Sequence, residues 1–253
     1  MKILLSPAKS LDYETPLPTG MYSDFHFQAE AAKINKILKS KKPAALRKLM
    51  SISEELAQLN WQRNQDFLIP YQTAQVRPAV FAFSGDVYQG FDAYTLAEEH
   101  YQKMQESVRI LSGLYGVLRP LDRILPYRLE MGTALKVGAA PNLYAFWKTK
   151  LTDYLNEELE GPEVVVNLAS TEYYKALDAK KINAEIITPV FKDWNKGKLS
   201  VISFFAKRAR GAMARYLVES GATTLEGIRE FKSEGYQFSA SHSPHELTPV
   251  FIR

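Results

Sequence analysis

A mixed α/β (α+β) fold is predicted by three observations. Short apolar runs of strand character are dispersed along the chain, helical periodicities lie between them, and no repeat, low-complexity tract or linker sets any part aside. The 13 glycines and 13 prolines are scattered. Residues 1–253 therefore read as a single compact domain, a mixed sheet covered by helices.

The elements follow in order. Lys2 to Ser6 is an apolar strand stopped by Pro7. Phe27, Ala31, Ile34 and Leu38 recur at helical spacing. Ser51 and Glu54 have capping-box spacing ahead of Leu56 and Leu59. Ala79 to Phe83, between Pro78 and Ser84-Gly85, reads as a strand. Leu96, Ala97, Tyr101, Met104 and Val108 mark a helix, as do Leu143, Phe146, Trp147, Leu151, Tyr154 and Leu155. Glu163 to Leu168 carries Val164-Val165-Val166, the signature of a buried strand. Ala184–Phe191 and Lys198–Phe204 flank a hairpin turn at Asn195-Lys196-Gly197. Ser203 caps a helix running to about Glu219, and Thr223 with Glu226 repeats the capping-box spacing. Tyr236–Ala240 and Pro249–Ile252 are expected edge strands.

Composition excludes several chemistries. Apolar residues make up 46% and charged residues 24% of the chain, enough for a large core without a metal or disulfide staple. There is no cysteine, which rules out disulfides, thiolate metal sites, iron–sulfur clusters and a cysteine nucleophile. The first apolar run is too short for a signal peptide, and no window is apolar enough to span a bilayer. A soluble cytoplasmic protein with no membrane partner is expected.

The net charge of +4 hides segregation. Lys33 to Lys48 holds seven basic residues and no acid. Lys192 to Arg215 holds seven more against the single Asp193, and Asp153 to Glu163 holds five acids and no base. On a helical wheel, Lys207, Arg208, Arg210 and Arg215 share one face, opposite Ala209, Ala212, Met213, Tyr216 and Leu217. Arginine's planar fork suits phosphate, so this face is a candidate phosphate-binding surface as well as a solvated one. The lysines from Lys33 to Lys48 read first as a solvated surface, or else as an adaptor face for another protein.

The densest motif is Leu111-Ser112-Gly113-Leu114-Tyr115-Gly116-Val117-Leu118-Arg119-Pro120. One reading is helix, tight hairpin, helix, with Gly113 and Gly116 letting the backbone approach a phosphate. The other is a strand or turn packed in the core. No phosphate loop ending in Gly-Lys-Ser/Thr occurs, and no G-x-G-x-x-G follows a strand.

Polar residues cluster beyond strands and prolines: Ser6 and Lys9; Asp86 and Tyr88; Tyr127, Arg128 and Glu130; Ser170, Glu172 and Tyr173. Strand ends gather sites in α/β folds. Lys9, Asp86, Arg128, Glu130 and Glu172 are the candidate catalytic residues if these groups share a pocket; otherwise they are caps and ion pairs. No catalytic signature is present, and neither Ser6 nor Ser170 sits in a G-x-S-x-G elbow. His242 and His245 surround Ser243-Pro244, which opposes a helical ligand pair. No metal site and no cofactor are expected.

Six ordered blocks resemble the bacterial YaaA family of peroxide stress resistance proteins. They are Leu5 to Asp12, Gly85 to Gly90, Leu111 to Pro120, Pro126 to Gly132, Asn167 to Ser170 and Ala206 to Gly211. The resemblance covers nearly the whole chain and lapses after about Tyr236. It implies a cytosolic bacterial protein that limits hydrogen peroxide damage and is associated with lower unincorporated iron. It also implies DNA binding through a basic cleft and a helix-hairpin-helix element, here best matched by Leu111 to Pro120. No settled catalytic activity comes with it. The expected nucleic-acid-binding residues are Gly113, Gly116, Arg119, Lys207, Arg208, Arg210 and Arg215, with DNA as partner. An enzyme acting on a small phosphorylated or nucleotide-like substrate is the alternative.

Overall fold

Strand β1 (Lys2–Leu5) is buried on both faces, with Ile3, Leu4 and Leu5 no more than 1% exposed, and the fold is built around it. The structure is a computed structural model that describes residues 1–71 and 75–253. Helices α1 (Gln28–Lys39), α2 (Pro43–Met50) and α3 (Glu54–Asp66) follow β1. Then come β2 (Arg77–Pro78), α4 (Ala79–Ala82), α5 (Asp86–Phe91), α6 (Tyr101–Ser107), β3 (Val108–Ser112), β4 (Gly116–Leu118) and β5 (Arg123–Ile124). Helix α7 (Leu143–Glu157), β6 (Val164–Asn167), α8 (Thr171–Tyr174), β7 (Glu185–Ile187), β8 (Val190–Asn195) and β9 (Lys198–Ser200) continue the chain. Helices α9 (Ser203–Ser220) and α10 (Leu225–Arg229) precede β10 (Lys232–Ser233), β11 (Tyr236–Phe238) and β12 (Val250–Ile252).

The first sheet has the order β4-β3-β1-β6-β7. β1 pairs in parallel with β3 and with β6, β6 pairs in parallel with β7, and β4 closes one edge antiparallel to β3. Parallel strands covered on both faces require continuous apolar runs, which Lys2–Ser6 and Val164–Val166 supply. The second sheet has the order β10-β11-β12-β8-β9, with β12 parallel to β8 and the other pairs antiparallel. β2 and β5 form a separate antiparallel pair. Nearly all the buried apolar side chains form one cluster, from Ile3 in the first sheet to Phe251 in the second.

The mixed α/β class holds, but several local expectations are corrected. Ala79–Phe83 is not a strand. It forms the single helical turn α4, and the N–H groups of Ala79 and Val80 donate to the carbonyls of Asp122 and Pro120. All four of its residues are buried, and a short, fully buried apolar run has no period to separate strand from helix. The two capping boxes are displaced. Ser53, not Ser51, caps α3, and Thr224, not Thr223, caps α10. Ser203 is the first residue of α9 rather than its cap. Ala184–Phe191 divides into β7 and β8, which lie in different sheets, and β11 and β12, both expected at an edge, are interior strands.

The expected helix-hairpin-helix-like element is a buried β-hairpin instead, the second of the two readings of the Leu111–Pro120 motif. α6 ends at Ser107, every residue of β3 and β4 is buried, and Ser112 pairs with Gly116 across the turn. Gly116 has φ +75°, and a Cβ there would lie 2.6 Å from the Trp147 ring. A Cβ on Gly113 would lie 2.4 Å from the Leu129 carbonyl oxygen, and the Gly113 carbonyl accepts the Trp147 indole N–H at 3.0 Å. These glycines serve core packing, and neither backbone reaches the surface.

A pair of glycines positions the basic helix. α5 and α9 cross so closely that a Cβ on Gly211 would lie 1.7 Å from the Val87 carbonyl oxygen, and one on Gly90 would lie 2.0 Å from that of Arg208. Only hydrogen side chains allow this approach. It sets the start of α5, with Asp86, against the part of α9 that carries Lys207 and Arg210.

Candidate anion-binding cleft

The chain leaves β1 to pair first on one side, with β3, and later on the other, with β6. The space beyond the carboxyl ends of β1 and β6 is therefore a topological switch point, where open α/β sheets hold ligands. Ser6 follows β1 and Ser170 follows β6. The Ser170 N–H donates to Ser6 Oγ at 2.8 Å, and the two hydroxyl oxygens lie 3.2 Å apart. The Tyr88 hydroxyl donates to the Ser6 carbonyl at 3.0 Å.

A cavity of about 460 Å³ opens over these serines. Lys9, Asp86, Glu130, Glu172, Lys207 and Arg210 are among its lining residues. Four of the five candidate catalytic residues therefore converge, and they do so beside the basic helix. The fifth, Arg128, stands behind the wall and binds Glu130 at 2.9 Å. Lys9 takes the other Glu130 oxygen at 3.1 Å, so one carboxylate bridges two cations. Glu172 accepts the Gly132 N–H at 2.9 Å, and Asp86 stands 3.9 Å from Lys207. Tyr173 closes the floor, and burial raises its phenol pKa, helped by the neighbouring Tyr127, Glu172 and Glu130.

Arg210 differs from every other arginine of its helix. It lines the cleft, burial lowers its pKa from the ordinary arginine value, and it has no hydrogen bond or ion pair among the described residues. Its guanidinium nitrogens, none of them wholly buried, are left to the solvent of the cleft rather than to a protein acceptor, and reduced hydration of a charge is costly. An anion in the cleft would compensate it, and the planar fork suits two oxygens of one phosphate or carboxylate.

The other expected phosphate-binding residues lie elsewhere or are engaged. Arg208 pairs with Glu234 at 3.0 Å. Arg215 pairs with Glu219 at 2.8 Å and donates to the Asp92 carbonyl and the Thr95 hydroxyl. Arg119 pairs with Asp122 at 3.2 Å. Gly113 and Gly116 are buried in their hairpin. The one-signed face seen on the wheel is thus partly neutralised by acids from other elements, which a wheel of one helix does not show. His242 is held by the Ser239 hydroxyl at 2.8 Å.

Sequence reading missed the Gly90–Gly211 crossing that brings Lys207 and Arg210 to the cleft. The available signal was a glycine inside a helical pattern, as in Ala206-Lys207-Arg208-Ala209-Arg210-Gly211-Ala212, which points to a close packing contact.

Comparison with known proteins agrees across the chain. The family described as peroxide stress protein YaaA matches residues 1–242. A UPF0246 protein of Flavobacterium johnsoniae is 51% identical over 243 residues, covering 96% of each chain. One from Flavobacterium psychrophilum is 49% identical over 253 residues and covers 100% of both. One from Aliivibrio fischeri is 46% identical over 255 residues, covering 100% of this chain and 98% of the relative.

Proposed function

This chain belongs to the peroxide stress protein YaaA family, and from that membership we propose that it serves the response to hydrogen peroxide by binding DNA at the switch-point cleft. The observation that carries this reading is Arg210, a partly buried guanidinium without an acceptor. A backbone phosphate seats on Arg210, with Lys207 and Lys9 beside it. Contacts of this kind read no bases, so binding is largely independent of sequence. Protein cations on phosphate displace the condensed metal ions around DNA. Ferrous ions held there are the ones that turn peroxide into DNA damage, so the same contacts limit iron-dependent harm.

A second reading has its own observation in favour. Asp86, Glu130 and Glu172 share the cleft with the cations, and carboxylates suit the hydroxyl or amino groups of a small substrate better than a run of phosphates. The cavity is also within the size range of small-ligand sites. Here the substrate is a small phosphorylated or nucleotide-like molecule, with its phosphate on Arg210.

Fluorescence anisotropy with a labelled duplex, read across a salt series, tests the first reading. Affinity should fall steeply with salt, and Arg210→Gln should weaken it roughly tenfold and reduce the salt slope by about one. Affinity that is flat in salt, or unchanged in an Arg210→Gln, Lys207→Gln double variant, sinks it. Calorimetric titration with a nucleoside monophosphate decides the second reading. It stands if the ligand saturates the cleft and Arg210→Gln abolishes the heat, and it falls if no heat appears.

A further inference from the structure

The second sheet ends in a hairpin whose side chains are inverted. β8 buries Asp193, 4% exposed, and turns the next residue, Trp194, outward at 56% exposed. Burial preferences favour the opposite. Three contacts hold the inversion. The Asp193 carboxylate accepts from the Tyr236 hydroxyl at 2.6 Å and from Arg253 Nε at 2.8 Å, and Arg253 Nη2 lies 2.7 Å away. The register cannot slip by one residue without breaking this network, because one step moves every side chain to the other face.

The outward face is consequently apolar. Trp194 pairs with Leu199 across the hairpin, and Val201, two residues further on, is 53% exposed. The hairpin turns at Lys196 and Gly197, both with positive φ, 50° and 75°, as a two-residue turn requires. Asn195 and Lys198 flank the turn and face each other. The next pair, Trp194 and Leu199, therefore directs its backbone groups away from the ladder between β8 and β9. The Trp194 N–H does so, donating to the Arg253 carbonyl at 3.0 Å on the β12 side. Leu199 presents its N–H and C=O to the opposite side, the outer edge of β9, where no described strand pairs.

Charge narrows the occupant. Lys192, Lys196 and Lys198 surround the edge, and the one acid between Lys192 and Arg215 is the buried Asp193. A second copy of β9 would set lysines against lysines. Nucleic acid offers phosphates, and Trp194 a ring for a base, but the outward N–H and C=O of Leu199 on an unpaired strand edge match a polypeptide backbone. We propose that the outer edge of β9 docks an extended acidic segment of a partner protein. The segment adds as a strand beside Leu199, lays apolar side chains on Trp194, Leu199 and Val201, and places carboxylates near the lysines.

The test uses the full chain and a short labelled peptide alternating glutamate and valine. Hydrogen exchange reads each backbone amide. Saturable binding is expected, with the Leu199 and Val201 amides slowed. A Leu199→Glu, Val201→Glu double variant should bind roughly tenfold more weakly and keep its exchange pattern elsewhere. A lysine–valine peptide should not bind, and Arg210→Gln should bind the acidic peptide as the parent does. Absence of saturable binding, or protection confined to other amides, overturns the proposal. A single-stranded oligothymidylate that slows the same two amides as strongly overturns it in favour of nucleic acid.

Discussion

Arg109 on β3 is 3% exposed along its side chain, and its charge is balanced by Glu158 through a two-pronged pair at 2.5 and 2.8 Å. Burial works to raise the Glu158 pKa. Hydrogen bonds and charge from Arg109, with Tyr154 and Lys2, outweigh it and hold the carboxyl below its ordinary value of 4.5. A depressed folded-state pKa stabilises the fold above the unfolded value, and that contribution is lost as pH falls below it. The pair should therefore support the protein fully at neutral pH and lose its contribution in acid, from about pH 4.5 downward. Glu158→Ala leaves a buried guanidinium and should cost about 3 kcal/mol at neutral pH. Urea titrations at neutral and acid pH should show the gap between parent and variant closing in acid. A gap that stays constant would mean that packing, not charge, is what Glu158 contributes.

At the scale of elements, the α5–α9 crossing is the joint on which the cleft depends. Gly211→Ala puts a methyl 1.7 Å from the Val87 carbonyl oxygen, which the helices can relieve only by separating. The expected outcome is a loss of roughly 2 kcal/mol of stability, typical of overpacking, together with weaker DNA binding, although Gly211 is outside the cleft lining. Thermal melts and anisotropy on one variant check both. The same joint shows what a sequence can and cannot reveal. β1 and β6 were legible because parallel strands buried on both faces must be apolar throughout. α7 and α9 were legible because their apolar residues recur at 3.6-residue spacing. The hairpin at Gly113–Gly116 was legible only as one of two open readings, because its glycines answer to Leu129 and Trp147, partners distant in sequence. The cleft was half legible. Lys9, Asp86, Glu130 and Glu172 were recognised by their places after strands and prolines. Arg210 was recognised as basic, but its lack of a partner is a property of the assembled molecule, as are the ion pairs that occupy Arg208 and Arg215.

Across the whole molecule, one apolar cluster joins both sheets. We expect the chain to unfold as one unit, so urea transitions followed by tryptophan fluorescence and by far-ultraviolet circular dichroism should coincide. Separate midpoints would divide the chain into two units. The position of β1 carries a further consequence, one that concerns biosynthesis. β1 comes before both of its partners in the chain, yet it lies at the centre of its sheet, and Ile3 finds its neighbours only at Val108 and Val166. An emerging chain holds Ile3, Leu4 and Leu5 without their β6 neighbours until well over half of these 253 residues have been translated. Non-local pairing of this kind slows folding and leaves apolar strands open to association. The protein should therefore complete its fold late in synthesis, and until then its central strand is a segment for chaperones to shield.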